Sequence, residues 1–245
     1  MKFLVLISNV PDTTTKIRFV DDNKAFDTTG VQWIINPWDE LALTRAVELK
    51  EAGGIESITV ANVGENITES TLRKALAVGA DDAVRIDAKP KDAFYVATQL
   101  AQIAKDYDVI MAGNEASDYN GSAVGGMLAE ILGFNSVAAV SGMDIVDGKL
   151  SLTREIDGGQ QKIEVDTPVV TIVQKGIAID PRIPAMRGIM MARKKPLTVI
   201  PPVEAVEKTE YVGFELPPPK AACKLVEEDN VKELLRLLQE EAKVL

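Results

Sequence analysis

A glycine-rich turn between a predicted strand and a predicted helix carries the residues best suited to hold a ligand. It runs from Ala112 to Gly126 and reads Ala-Gly-Asn-Glu-Ala-Ser-Asp-Tyr-Asn-Gly-Ser-Ala-Val-Gly-Gly. The strand is predicted over 108–112, and the helix opens near Gly121 and ends at Gly133. Free N–H groups and the positive dipole end at a helix start favour an anion, and small residues let it approach the backbone. The turn therefore predicts a phosphate site.

The same turn has a second interpretation. Glycine-rich turns of this kind also serve only to let a helix pack closely on a sheet. The sequence matches neither the Walker lysine motif nor the G-x-G-x-x-G fingerprint. The residues alone leave phosphate binding and tight packing both open.

Composition limits the classes of protein that the chain can represent. With 245 residues, 46% of them hydrophobic, it can bury a large core as one domain, with or without an appendage. The single cysteine, Cys223, excludes an internal disulfide, and the lack of histidine argues against histidine-dependent hydrolases and metalloenzymes. The net charge of −10 argues against non-specific binding to nucleic acid or acidic membranes. We expect no metal site and no nucleic-acid partner.

The apolar runs are all short. The first, over 3–8, is followed at once by polar residues and is typical of a buried strand rather than a signal peptide. No run approaches the length of a membrane span. We expect a cytoplasmic protein without direct membrane insertion.

Short apolar runs alternate with helical patterns up to residue 132. The pattern predicts strands at 3–8, 58–63, 83–86 and 109–112, and helices at 38–52, 71–78, 93–105 and 121–132. Such alternation implies right-handed βαβ units, and hence a parallel sheet with helices on both faces. The fold class is therefore α/β and Rossmann-like.

Asn36 and Pro37 precede the first long helix. Asn36 can cap this helix and Pro37 suits its first position, while Asp39 and Glu40 add negative charge to the first turn. The pair also lies where a turn at the carboxyl end of a parallel sheet would contact a ligand. Both interpretations remain open.

The pattern becomes β-like after Ser141. Apolar runs at 143–146, 150–156 and 161–165 are separated by glycine-containing turns, which predicts an antiparallel meander, and 168–173 predicts a further strand.

The segment 180–195 combines three methionines with five cations. Its prolines and its central glycine predict a loop followed by a short helix. Flexible methionines beside arginines are typical of an interaction surface. In the alternative interpretation the methionines face the core and the cations are solvated.

Beyond Pro196 the sequence no longer alternates between strand and helix patterns. Two proline-rich stretches predict an extended arm, and a helix is predicted over 228–243 with an apolar stripe of Val231, Leu234, Leu235, Leu238 and Ala242. The arm either folds back on its own domain or lies on a partner subunit.

Four blocks of sequence together resemble a known family. They are Asn-Pro-Trp-Asp at 36–39, Asp-Tyr-Asn-Gly-Ser-Ala-Val-Gly at 118–125, Arg-Glu-Ile-Asp-Gly-Gly at 154–159, and Pro181-Arg182 leading to Ile-Met-Met-Ala-Arg-Lys-Lys at 189–195. Their order and spacing from Lys2 to about Lys195 resemble the β subunits of electron transfer flavoproteins.

The resemblance implies a nucleotide-binding α/β domain over 1–195, of the adenine nucleotide alpha hydrolase-like kind, and an arm and helix over 196–245 that pack on a partner. That partner would be the α subunit, which holds most of the FAD, while this chain would bury an AMP without redox chemistry. The implied AMP site consists of Leu6, Asn36, Pro37, Trp38, Asp39, Val63, Asp118, Asn120, Gly121, Ser122, Ala123, Val124 and Gly125.

The resemblance also implies surfaces for other proteins. A recognition loop within 180–195 would dock acyl-CoA dehydrogenases and related dehydrogenases of fatty acid β-oxidation, with Met186 in place of the usual leucine anchor. It consists of Arg182, Ile183, Pro184, Ala185, Met186, Arg187, Gly188, Ile189, Met190 and Met191. Glu155 would face the flavin-bearing domain of the α subunit, unless it is simply an exposed strand carboxylate. The final acceptor would be a membrane quinone oxidoreductase.

One departure bears on the nucleotide. The turn reads Ser122-Ala123-Val124-Gly125 where the family usually has a glutamine at the second position. Some members of the family instead bind a second FAD and bifurcate electrons from NADH, and the missing glutamine does not decide between the two types. An ATP-binding enzyme or stress protein of the same architecture is the alternative of another class, which the first loop, Ser8-Asn9-Val10-Pro11, opposes because it lacks a glycine-rich pyrophosphate grip.

Overall fold

The computed structural model describes residues 1–220 and 222–245. The strands are, in chain order, β1 (Lys2–Leu6), β2 (Asn9–Pro11), β3 (Phe19–Val20), β4 (Ala25–Phe26), β5 (Trp33–Ile35), β6 (Ser57–Val63), β7 (Asp82–Ile86), β8 (Val109–Gly113), β9 (Asn135–Val146), β10 (Lys149–Ile156), β11 (Gly159–Val165), β12 (Val169–Val173) and β13 (Leu197–Ile200). The helices are α1 (Pro37–Glu51), α2 (Glu69–Val78), α3 (Ala93–Ala104), α4 (Val124–Leu132), α5 (Met186–Ala192) and α6 (Val231–Arg236).

Nine of these strands form one sheet in the order β11-β10-β9-β12-β8-β1-β6-β7-β13. Every neighbouring pair from β12 to β13 is parallel. Alternate residues of β1 point to opposite faces: Phe3 and Val5 join the core under α1 and α2, while Leu4 and Leu6 join the core under α3 and α4. The predicted Rossmann-like α/β fold, with helices on both faces of a mostly parallel sheet, is confirmed.

The predicted meander is present and is longer than the sequence indicated. β9 begins at Asn135, because its first half pairs parallel with β12 and its second half pairs antiparallel with β10. Both ladders shift register along this strand, and Ala139 lies there with a φ of 59°. A bulge of this kind lets one strand serve two neighbours that run in opposite directions.

The chain keeps its βα rhythm for one strand beyond Pro196, contrary to the expectation from the sequence. β13 pairs parallel with β7 and forms the edge of the sheet. The run Leu-Thr-Val-Ile at 197–200 carried this signal, since β-branched residues favour strands, but the prolines on both sides obscured it.

The first half of the arm lies against its own domain. Gln99 of α3 is buried and forms two 2.8 Å hydrogen bonds with the backbone N–H and C=O of Val203. Asp92 accepts from the N–H groups of Lys208 and Thr209 at 2.6 and 2.8 Å. Up to about Phe214 the arm therefore folds back on its own domain, which was one of the two alternatives. Packing on a partner subunit stays a prediction and is proposed below for the residues after Phe214.

The C-terminal helix is shorter than predicted. α6 is followed by a π-helical turn at Leu237–Glu241, so the helical stretch covers 231–241 rather than 228–243. Val231, Leu234 and Leu235 of its apolar stripe are exposed. Within the described residues, no helix combines the length and the apolar character that crossing a membrane requires.

Candidate functional site

The candidate nucleotide residues meet at one edge of the sheet. β1 lies between β6 and β8. On one side of β1 the sheet continues through β6 and β7 to β13, and on the other side it continues through β8 to β12. The carboxyl ends of β1 and β8 therefore flank the point where strand order reverses, which is where open α/β sheets bind ligands. Leu6 and Val63 are buried at the ends of β1 and β6, and 36–39 and 113–125 form the connections that leave this edge.

Asp39 joins the two strand ends at this point. One carboxylate oxygen accepts from the N–H of Ser8 at 2.7 Å, and the other accepts from the N–H of Gly113 at 3.0 Å. The side chain is only 3% exposed, and burial raises the pKa of Asp39 to about 6 although these hydrogen bonds favour the ionised form. The carboxylate of Asp39 thus fixes the geometry of the edge, and its oxygens are occupied by the protein backbone.

The side chain of Asn36 fixes the glycine-rich turn rather than capping α1. Its amide Nδ2 donates to the carbonyl of Glu115 at 2.8 Å, and its Oδ1 accepts from the N–H of Ser117 at 3.1 Å. Asn36 occupies the N-cap position of α1 as predicted, but its side chain forms no capping hydrogen bond to this helix. Pro37 at the first helical position has no N–H, so this helix start has one unpaired donor fewer.

The helix that follows the turn starts later than predicted. α4 begins at Val124, three residues after Gly121, and the left-handed backbone falls on Asn120 and Ser122, with φ of 51° and 47°. Such conformations cost non-glycine residues about 1 kcal/mol or more and cluster at functional sites. A Cβ at Gly121 would meet no atom within 4 Å, so the turn is open there. Asp118 is exposed as well, and Ala123 is partly exposed.

Two other glycines of this edge are required by close packing. A Cβ at Gly125 would lie 2.7 Å from Cγ1 of Ile172, and one at Gly113 would lie 2.3 Å from the Oδ1 of Asp39 and 2.7 Å from the Cβ of Trp38. The packing interpretation therefore applies to these glycines, whereas the open stretch suited to a ligand is 118–123.

The segment 180–195 presents its apolar side chains to solvent. Ile183 is 87% exposed and Met186 is 73% exposed, and Met190 and Met191 are also more than half exposed. The predicted loop and short helix are present, with α5 starting at Met186. The alternative in which the methionines face the core is wrong, because α5 turns only Ala192 fully inward.

Glu155 is partly buried rather than freely exposed. Its Oε1 accepts from the hydroxyl of Ser141 at 2.6 Å and from the amide of Gln160 at 2.8 Å. Both contacts hold the carboxylate in one orientation at the end of β10, so it is an oriented anion on the meander.

The comparison with known proteins decides the family. The family model described as "Electron transfer flavoprotein domain" matches residues 24–205, about three quarters of the chain. This chain belongs to the electron transfer flavoprotein family.

Individual relatives agree with this membership. The electron transfer flavoprotein subunit beta of Syntrophomonas wolfei is 38% identical over 232 residues, which cover 94% of this chain and 91% of the relative. The protein of the same name from Bacillus subtilis is 35% identical over 261 residues and covers both chains fully. The human protein of that name is 31% identical over 247 residues, or 96% of each chain.

The electron transfer flavoprotein match ends at residue 205, so it includes β13 and the start of the arm.

Sequence reasoning missed the residues that hold the arm. Tyr119 of the turn stacks on Tyr211 with ring centroids 4.6 Å apart, Tyr211 stacks on Phe214 at 5.8 Å, and Phe214 stacks on Phe19 at 5.1 Å. No periodic signal links these aromatic residues, since they come from three distant segments.

Among the described residues no group of three or more Cys, Asp or Glu side chains has the arrangement of a metal site.

Proposed function

We propose that the chain is the β subunit of a heterodimeric electron transfer flavoprotein. It binds AMP as a structural nucleotide and docks acyl-CoA dehydrogenases, so that electrons pass through an FAD held mainly by the α subunit to a respiratory acceptor. The bridge from Asp39 to Ser8 and Gly113 is the observation that carries the proposal, because it builds a rigid ligand edge at the reversal point of the sheet.

The residues present fit a single adenine nucleotide. The open backbone of 118–123 offers N–H groups to a phosphate next to the start of α4, and the small side chains of Gly121, Ser122 and Ala123 leave room for it. The buried ends of β1 and β6 at Leu6 and Val63 supply an apolar wall. The phosphate would lie against 118–124 and away from Gly113, since the ionised Asp39 occupies that N–H group.

The chain performs no bond chemistry in this function. When bound, the FAD accepts and releases the electrons, and the residues of this chain orient the proteins between which they pass. Glu155 would pair with a cation of the α subunit, and its bonds to Ser141 and Gln160 support this role because they hold the carboxylate in one orientation. The exposed Met186 supplies an apolar anchor, which suits a small interface that forms and releases quickly.

A partner subunit would cover the rest of the arm. The residues after Phe214 carry exposed apolar side chains that include Leu216, Leu225 and Leu235. An extended arm that ends in a helix with an exposed apolar stripe is suited to lie along another protein.

Co-expression with a candidate α subunit tests the proposal. We expect a stable heterodimer that co-purifies with flavin absorbance, and we expect truncation after residue 214 to weaken it. A chain that stays monomeric and leaves the α subunit with its full flavin content and activity would contradict the proposed role.

A further inference from the structure

Two cations tie the C-terminal ends of α2 and α5 together. Lys195 follows α5, and its Nζ donates to the carbonyls of Leu76 at 2.9 Å and of Ala80 at 2.5 Å, at the end of α2. Arg73 of α2 donates in return from Nη1 to the carbonyls of Ala192 and of Lys195 itself, at 2.9 and 2.8 Å. The last carbonyls of a helix lack partners within the helix and attract cations. Each helix therefore receives its C-terminal cation from the other.

Gly188 brings the two helices into direct backbone contact. A Cβ at this position would lie 2.5 Å from the carbonyl oxygen of Ala77. The obstacle is a backbone atom, which cannot rotate away as a side chain would. A glycine is thus required at this position by the separation of α2 and α5.

The other end of the segment is fixed as well. The guanidinium of Arg182 donates to both carboxylate oxygens of Glu51, at 2.8 and 2.7 Å, and its backbone N–H donates to the hydroxyl of Thr44 at 3.0 Å. The pair is largely exposed and contributes little to stability by itself. With Lys195 it attaches the segment 182–195 to α1 and α2 at both ends.

The backbone of this segment is therefore fixed while its apolar side chains are free. Ile183, Met186 and Met190 are between 66% and 87% exposed, although the segment that carries them is hydrogen-bonded to α1 and α2. A partner that binds such a surface avoids the entropic cost of ordering it, which is about 0.5–1.5 kcal/mol for each side chain immobilised and more for a loop.

We propose that Arg73, Lys195 and Gly188 are positioning residues for docking: they hold α5 in the geometry in which Met186 enters the donor dehydrogenase. This inference rests on the docking role proposed above. The charged groups of Arg73 and Lys195 are bonded to backbone carbonyls and Gly188 faces Ala77, so each acts through the position of α5. Affinity for the donor depends on them, whereas the rate of electron transfer within the docked complex does not.

Lys195 and Lys194 form a matched pair for the test. Lys195→Gln removes two bonds to α2, whereas Lys194→Gln removes the same charge from an exposed neighbour. Gly188→Ala adds one methyl group on the inner side of α5 and changes none of the exposed side chains chemically. Met186→Asp serves as the reference that removes the anchor itself.

The experiment uses the heterodimer, reduced by a purified acyl-CoA dehydrogenase with its acyl-CoA substrate. The KM for the heterodimer and the kcat of flavin reduction are measured for each variant, together with hydrogen exchange of residues 182–195. We expect Lys195→Gln and Gly188→Ala to raise KM about fivefold or more with kcat unchanged. Exchange should be faster within 182–195, and Lys194→Gln should match the parent protein in both measurements.

The outcomes separate this inference from the docking role. An unchanged KM in Lys195→Gln and Gly188→Ala, together with a loss of uptake in Met186→Asp, overturns the inference and leaves docking intact. Equal effects of Lys194→Gln and Lys195→Gln also overturn it, because net charge would then explain both. Normal uptake in Met186→Asp instead rejects the docking role. If Gly188→Ala gives no folded heterodimer, Lys195→Gln alone decides, since it adds no atoms between the helices.

Discussion

Asp39 accepts a hydrogen bond from the backbone N–H of Gly113 at 3.0 Å, which ties the start of α1 to the end of β8. These residues are 74 positions apart in the chain, and a side chain of any size at position 113 would collide with the carboxylate. The second oxygen of Asp39 reaches the N–H of Ser8 beyond β1. The geometry of the proposed nucleotide edge therefore depends on one buried carboxylate.

The first prediction concerns the pH dependence of stability. Because the pKa of Asp39 is raised to about 6 in the folded chain, the folded state holds a proton between pH 4 and 6 that the unfolded chain has lost. This group's contribution to the free energy of unfolding is full below about pH 4 and falls by about 3 kcal/mol as the pH rises through 6. Urea unfolding of the parent protein and of Asp39→Asn across this range should show that difference. A constant difference between the two proteins would contradict it.

The second prediction compares adjacent glycines of α4. Gly125→Ala places a methyl group against Ile172 and should lower the free energy of unfolding by about 1–3 kcal/mol. Gly126→Ala meets no atom within 4 Å and should be neutral or raise it by about 0.4–1 kcal/mol. Retention of AMP, measured on the purified heterodimer, should fall in the first variant because the start of α4 shifts. Equal retention of AMP in both variants would show that nucleotide binding does not depend on the position of α4.

The third prediction concerns the arm. Tyr211→Ala removes the ring that stacks on Tyr119 and Phe214. Each stacked pair contributes about 0.5–1.5 kcal/mol, so residues 203–214 should become more mobile in this variant. Limited proteolysis at Lys208 should then be faster, whereas Tyr211→Phe keeps the stacking and should be cut at the parent rate. Equal rates for all three proteins would mean that Asp92 and Gln99 hold the arm without the aromatic residues.

The fourth prediction concerns the exposed anchor. Met186→Asp places a charge where an apolar side chain would be buried on docking, at a cost of about 2 kcal/mol or more, or roughly thirtyfold in KM for the donor. The flavin content of the heterodimer should not change. Met186→Leu keeps the volume and should retain docking. Normal electron uptake by Met186→Asp would contradict a docking role of the segment 180–195.

Local patterns were sufficient to predict much of the fold. The alternation of apolar runs and helical faces gave β1, β6, β7 and β8 and the helices α1 to α4, and the meander followed from its glycine turns, because these signals lie within single segments. The short strands β2 to β5 were not predicted. Exposure of Met186 could not be decided from composition, since methionine beside cations is compatible with either face.

Long-range pairings were not predictable. A helix cap and a ligand turn were both open for Asn36, and its amide binds the backbone of residues 115 and 117, which no local rule relates to it. β13 and the attachment of Lys208 to Asp92 likewise depend on contacts between distant segments.

Identification of the nucleotides released from the purified heterodimer tests the proposed function most directly. Mass spectrometry after denaturation should detect FAD together with AMP, and the AMP should be lost when the edge built by Asp39 is disrupted. FAD in place of AMP would indicate the bifurcating type, and the absence of any adenine nucleotide other than the FAD of the α subunit would contradict the nucleotide site at 118–124.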